Sequence, residues 1–217
     1  MANVIVGNLK DQIHAILKQK ITRGFYAPGA RIVIDVIAEE YHVSRTPIRD
    51  ALNSMIPNGL ISKVGKGYFV FNPSLEEVKD ISSLRLVLEN MAVEQCTLRS
   101  SDAEIKQLES FKAFELNRLQ NMTLEEYDIA FHEKVLEFTR NTHLISHLQI
   151  VRELWWLIRR WTKAEISPEI KILSMQQHID LIDRISNRDV EGAKKVMVQH
   201  HNSGLGSIIS SGVFPAS

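Results

Sequence analysis

Val43-Ser44-Arg45-Thr46-Pro47-Ile48-Arg49-Asp50-Ala51-Leu52 is the stretch whose reading decides the fold. Ser44 is a favoured helix N-cap, and Pro47 falls in the first turn, where a missing N–H costs nothing because that donor has no intrahelical partner. A helix therefore starts at Ser44. Ile48, Ala51, Leu52 and Met55 recur at helical spacing and give it one apolar side, leaving Arg45, Thr46, Arg49 and Asn53 on the rest of its surface. Pro57 disfavours α geometry at Ile56, so the helix ends near Met55 or Ile56. Two arginines and a threonine near a helix N-terminus suit phosphates and guanine edges. Taken alone, the same pattern also describes an ordinary amphipathic helix with solvated arginines.

The surroundings favour nucleic acid. Upstream, Ile34, Ile37, Ala38 and Tyr41 form a short apolar face, and His42-Val43 make the tight connection expected within a helix-turn-helix. Downstream, after Asn58-Gly59, the β-prone runs Leu60 to Lys63 and Tyr68 to Phe71 flank Gly65-Lys66-Gly67, a hairpin signature. Glycines at that tip allow the basic Lys66 and the backbone at Gly67 to approach a groove or phosphate closely. Before this unit, Leu9, Ile13, Ile16, Leu17 and Ile21 mark an amphipathic helix ending near Gly24, which suits the C′ position. The whole reads as a winged helix-turn-helix.

The charge distribution agrees. The chain is neutral overall, yet residues 1 to 72 carry nine Lys/Arg against five Asp/Glu, and the remainder carries 17 against 21. A basic reader is thus joined to an acidic partner, with enough positive charge for phosphate contact but not for indiscriminate binding. The 217 residues suffice for two ordinary domains. No N-terminal run has signal-peptide length, and no apolar stretch approaches the ~20 residues of a membrane span. A soluble, cytoplasmic and nucleoid-associated protein without membrane partners is expected. The single Cys96 excludes an internal disulfide and a cysteine-cluster metal site, and it falls in an apolar helical stretch as a core residue.

Asn72-Pro73-Ser74 breaks the pattern and marks the domain junction, with Ser74 as N-cap to a helix opening Leu75-Glu76-Glu77. The expected domains are residues 1–72, for DNA binding, and 73–217, a second domain. Everything after the junction is helical in period, over about 75–98, 102–120, 123–140, 144–164, 168–187 and 189–207. The fold class is therefore mainly α, an N-terminal winged helix-turn-helix followed by an all-α bundle. Ser207 to Ser217, short of charge and rich in Ser and Gly, is expected to fray.

Within the bundle stand Asp128, His132, His178 and His200. The first two are four residues apart, which puts them one turn apart on one helix face. His178 and His200 lie on the last two helices, which the short Asn187-Arg188-Asp189 link makes antiparallel neighbours. One carboxylate and three neutral imidazoles suit a divalent transition metal such as Zn, Ni, Fe or Mn, with positions left open at five- or six-coordination. On spacing alone, ordinary surface or core polar residues remain the default reading of such a scatter.

Gly24, Pro28-Gly29, Ala38, Val43 to Pro47, Arg49, Ala51-Leu52, Gly59-Leu60 and Gly67 together resemble the GntR family of bacterial transcription regulators over residues 9 to 71. The resemblance implies that Arg45 and Arg49 contact operator DNA and that Gly67 lies in the wing. It departs from the family at Ile34, where many members carry an acid, and at Pro57. Asp128-Ile-Ala-Phe-His132, Asn141-Thr-His-Leu144, His178-Ile-Asp-Leu181-Ile182, Asp189, Ala193, Val196-Met197 and His200, with Arg85 and Glu89, resemble the FCD effector domain of the FadR-type subfamily over about 75 to 203. That resemblance implies that Asp128, His132, His178 and His200 bind a metal at the floor of a ligand pocket, and it supports Arg85 as a carboxylate clamp.

His143, His147 and His201 read as solvated; His201 points roughly 100° away from His200 around the helix. Trp155, Trp156 and Trp161 read as packing residues, and Arg159 and Arg160 as surface. The expected protein is a homodimeric, ligand-responsive transcription regulator that binds double-stranded operator DNA and senses a small organic acid at its metal. The competing class is a metal-dependent hydrolase or lyase with an appended DNA-binding domain. Against that class, His132-Glu133 is not followed by the second histidine of a His-Glu-x-x-His motif, and no enzyme is expected.

Overall fold

A computed structural model describes residues 9–117, 124–162, 168–211 and 214. Among these residues the chain divides into two compact units. The first runs to Val78 and takes in the stretch from Glu153 to the end of the seventh helix; the second comprises Lys79–Arg152 and the described residues from 168 onward.

The first unit opens with α1 (Leu9–Thr22), which buries Ile13, Leu17 and Ile21 at four-residue spacing. Gly24, at φ +75°, ends it as expected: the Gly24 N–H donates to Ile21 O and the Phe25 N–H to Lys20 O, the paired bonds of a Schellman turn. After strand β1 (Arg31–Ile32), α2 (Ile34–Tyr41) closes the same way, with His42 in the left-handed position that usually calls for glycine. The recognition helix α3 (Arg45–Met55) buries Ile48, Ala51, Leu52 and Met55 and packs on α1. Its N-cap is Ser44 in extended backbone, but the Ser44 hydroxyl makes no capping hydrogen bond.

Strands β2 (Ile61–Val64) and β3 (Gly67–Val70) form the wing hairpin, with Val64 opposite Gly67 across a two-residue turn. Positive φ at Gly65, the first central residue, matches a II′ turn. β1 pairs with the other side of β3, giving a three-stranded antiparallel sheet in the order β1-β3-β2. That third strand has no sequence signature, since two residues are too few to show alternation. The core of this unit gathers Leu17, Ile21, Ile48, Leu52 and Tyr68, and Leu157 from the seventh helix joins it.

The second unit is built from helices, six of which follow the wing among the described residues: α4 (Leu75–Arg99), α5 (Asp102–Asn117), α6 (Leu124–Glu137), α7 (Thr142–Trp161), α8 (Pro168–Ser186) and α9 (Val190–Ser210). Local side chains fix their starts. Ser74 and Glu77 exchange backbone and side-chain bonds in a capping box, as do Ser101 and Glu104. Asn141 Oδ1 accepts from the Leu144 N–H, and Asp189 Oδ1 from the Gly192 N–H; each such cap stabilises a helix by about 1 kcal/mol. A core of Val93, Leu108, Phe131, Val135, Leu181 and Met197 holds α4, α5, α6, α8 and α9 together. α9 continues to Ser210 with Ile208 buried, so Ser207 to Ser210 is ordered helix rather than a frayed end. The expected helical residues 118–120, 123 and 163–164, and most of the tail beyond Ser211, lie outside the described residues.

Candidate metal centre and nucleic-acid interface

α6 carries Asp128 and His132 one turn apart, α8 carries His178 and α9 carries His200. Each offers one ligand atom, and these four atoms all lie within 4.8 Å of one another. His132 Nε2 is 3.3 Å from His200 Nε2 and 3.8 Å from Asp128 Oδ1, while His178 Nε2 is 3.3 Å from Asp128 Oδ1. Adjacent donors on an ion held at ~2.1 Å stand about 3.0–3.4 Å apart in octahedral or tetrahedral geometry, so the closest pairs already have coordination spacing. Phe131 lies against His178 with ring centroids 4.6 Å apart, and His132 and His178 are fully buried.

The protonation states fit a cation. Burial and the neighbouring imidazoles hold His200 well below the usual histidine range. Burial also lowers His132, against the opposing pull of Glu89. Burial would raise Asp128, but the close approach of His178 and the three nearby imidazoles outweigh this and keep the carboxyl ionised. Free imidazole lone pairs and a carboxylate are what a metal requires. His178 gives the sharpest test of fit: both ring nitrogens are buried without an aligned hydrogen bond, although Nε2 faces Asp128. Leaving a buried polar atom so costs about 1–3 kcal/mol, a penalty that coordination through Nε2 would remove. The four residues therefore fit a divalent ion.

Partners of the outer ring nitrogens were not legible from the motif. His132 Nδ1 lies 3.3 Å from Glu89 Oε2, and His200 Nδ1 lies 3.3 Å from Gln177 Oε1. Both contacts leave Nε2 directed into the cluster. Arg85 is buried, its Nε 3.3 Å from Glu89 Oε1, so it is engaged by a carboxylate of its own chain. His143 and His147 are exposed as expected, but His201 is not: it is 3% exposed, and its Nε2 is 2.7 Å from the Ser82 hydroxyl. Burial first, and Arg85 next, push His201 down to about 4. Trp155 is buried, Trp161 packs on Phe71 at 6.0 Å, and Arg159 covers the Trp156 ring at 4.7 Å. Arg159 and Arg160 belong to the first unit, whereas the cluster belongs to the second.

On the reader, Arg45, Thr46 and Arg49 are all exposed along the start of α3. Arg45 Nε pairs with Asp35 Oδ1 at 2.6 Å, an acid one position after Ile34. Such a surface pair is weakly held and leaves the guanidinium available to a phosphate. Lys66 is exposed at the tip of the wing, whereas Gly67 is buried. A Cβ on Gly67 would come within 2.8 Å of the Phe69 ring, so a side chain there would have to displace that ring. Asn53 is exposed, and its Oδ1 accepts from the Tyr68 hydroxyl at 2.8 Å.

Comparison with known proteins accounts for both halves. Residues 80–203 match the FCD domain family, and residues 9–70 match the bacterial regulatory proteins of the gntR family. The uncharacterized HTH-type transcriptional regulator YdhC of Bacillus subtilis is 27% identical over 198 residues, covering 88% of this chain and 87% of its own. The HTH-type transcriptional repressor GlaR of Escherichia coli is 28% identical over 198 residues, with 85% and 88% covered. Among solved structures, E. coli McbR/YncC shares the fold at a TM-score of 0.76 and 17% identity, over 94% of this chain and 99% of that one. FCD domains are associated with metal binding and small-molecule effectors, and the GntR helix-turn-helix with DNA. The chain belongs to the bacterial GntR-family transcription regulators that carry an FCD domain, proteins that regulate transcription and are not enzymes.

Proposed function

We propose that this regulator binds a two-fold symmetric operator as a homodimer, holds a divalent transition metal at Asp128, His132, His178 and His200, and senses a small organic acid there. Residues 1–72 are the DNA reader and 73–217 the effector and dimerisation domain, working in the cytoplasm on the nucleoid. The observation that carries the reading is the convergence of three imidazoles and one ionised carboxylate from three helices, with all four ligand atoms within 4.8 Å. A bound metal of Zn, Ni, Fe or Mn type would supply a Lewis-acidic anchor for a carboxylate at its open positions. Around it, His132 and His200 present Nε2 because Glu89 and Gln177 face their Nδ1 atoms.

Arg45, Thr46, Arg49 and Lys66 are the DNA-contacting side chains, with Gly67 shaping the wing. One winged helix reads only a few base pairs, so specificity asks for two copies on a symmetric site. α7 gives the switch a covalent route. Arg152, on its second-unit part, grips Glu89, and the next residue, Glu153, takes the ammonium of Lys18 on α1 at 2.6 Å.

Two measurements test this. Native mass spectrometry of the purified protein is expected to give a dimer with one metal per protomer. Selection from a randomised duplex pool, repeated with a panel of small mono- and dicarboxylates, should enrich an inverted repeat whose occupancy changes with one of them. A metal-free monomer enriching a single half-site would overturn the proposal.

A further inference from the structure

Glu89 is a wholly buried carboxylate in the middle of α4. Two arginines hold it. Arg152 donates from Nε to Oε1 at 3.0 Å and from a terminal nitrogen to Oε2 at 3.1 Å, a two-pronged pairing, and Arg85 Nε approaches Oε1 at 3.3 Å. Two guanidinium groups within hydrogen-bonding distance balance its negative charge. Buried ion pairs of this kind are seldom better for stability than apolar residues of the same volume, so packing does not explain them.

What the pair touches does explain it. Glu89 Oε2 faces His132 Nδ1 at 3.3 Å, and Arg152 also donates to the backbone carbonyl of His132 at 3.2 Å. One residue is thereby fixed at both ends, its main chain by Arg152 and its ring by the carboxylate that Arg152 holds. The three imidazoles of the cluster have graded outer neighbours: a carboxylate 3.3 Å from His132 Nδ1, close but not aligned as a hydrogen bond, the Gln177 amide on His200, and no hydrogen bond on His178 Nδ1. A carboxylate accepting the Nδ1 proton selects the tautomer with a free Nε2 lone pair and makes that lone pair more basic.

We propose that Glu89 and Arg152 are positioning residues for His132, fixing its ring, its tautomer and its donor strength toward the metal. This rests on the metal reading above. The probe is Co(II), followed by chelator competition for affinity and by its ligand-field absorption for coordination. Glu89→Gln converts the outer partner of His132 into one like that of His200, and the expected result is about 10–100-fold weaker Co(II) binding with a displaced absorption band. Glu89→Asp should recover part of the affinity. Arg152→Lys keeps the charge but loses the fork, so it should give a smaller loss of the same kind and keeps the test open if Glu89→Gln does not fold. Binding and spectrum unchanged in folded Glu89→Gln or Arg152→Lys protein, with wild type binding Co(II), would overturn the positioning role while leaving the metal site standing. No Co(II) binding by wild type would take down both.

Discussion

Replacing His132 with alanine separates the metal from the DNA reader. It deletes one of four donors and leaves Asp128 without its partner on the same helix. A structural zinc site binds with about 10–16 kcal/mol, so one donor in four accounts for about 3 kcal/mol, or two decades of affinity. Glu89 loses its histidine neighbour but keeps both arginines, so no unpaired buried charge is created. At free metal a thousandfold above the wild-type Kd, the ion stabilises the fold by about 4.1 kcal/mol, and a hundredfold weaker variant retains about 1.4 kcal/mol. The difference corresponds to about 5–10 °C in the metal-dependent rise of Tm. Thermal unfolding with and without added Zn(II), and elemental analysis after dialysis, read this directly. Operator affinity without effector should persist. The proper control is His143→Ala, which removes an exposed imidazole; His201 is unsuitable because it is buried on Ser82. If His132→Ala keeps the wild-type metal response, or His143→Ala loses it, the assignment of the site is wrong.

Arg49→Ala should weaken operator binding about five- to a hundredfold at matched salt, without moving Tm or metal content, because the exposed side chain carries little folding energy; unchanged operator binding would remove Arg49 from the interface. Cys96, fully buried and with its thiol pushed up to about 11 chiefly by burial, should resist a thiol reagent at pH 8 until the protein is unfolded by denaturant. Rapid labelling of the native protein would contradict that placement.

The reader was legible because its signals are local. Ser44, Pro47 and the Ile48-Ala51-Leu52-Met55 stripe act within one helix, and Gly24 and Gly65 report their backbone conformation directly. β1 was not legible, because Arg31 and Ile32 become a strand only by pairing with Phe69 and Tyr68, far along the chain. His42-Val43 was legible as the tight connection, but the left-handed conformation of His42 was not, since a histidine stands where glycine would have announced it. The misreading of His201 has a different origin. A rotation of 100° from His200 shows that the two rings face different ways, but solvent does not follow from that. α9 buries Ala193, Met197 and His201 as well as facing the cluster, so it is covered on more than one side.

That Asp128, His132, His178 and His200 converge was foreshadowed by residue type, by the four-residue spacing of the first two and by the family resemblance, whereas the residues around them left no such mark. Arg152 and Gln177 lie on helices whose apolar periods run past them, and nothing in the spacing ties them to His132 or His200. Glu89 left no trace in the helical period either, because the apolar residues of α4 do not mark its buried face: Leu84, Val87 and Met91 are exposed, while Val78, Ser82, Arg85, Glu89, Ala92, Val93 and Cys96 are buried. A carboxyl in a core must be neutralised or hydrogen-bonded, and here the cations come from Arg85 on α4 itself and from Arg152 on α7. Here the buried charge and its two arginines lie against His132, which is why Glu89 is the residue proposed to position that ring.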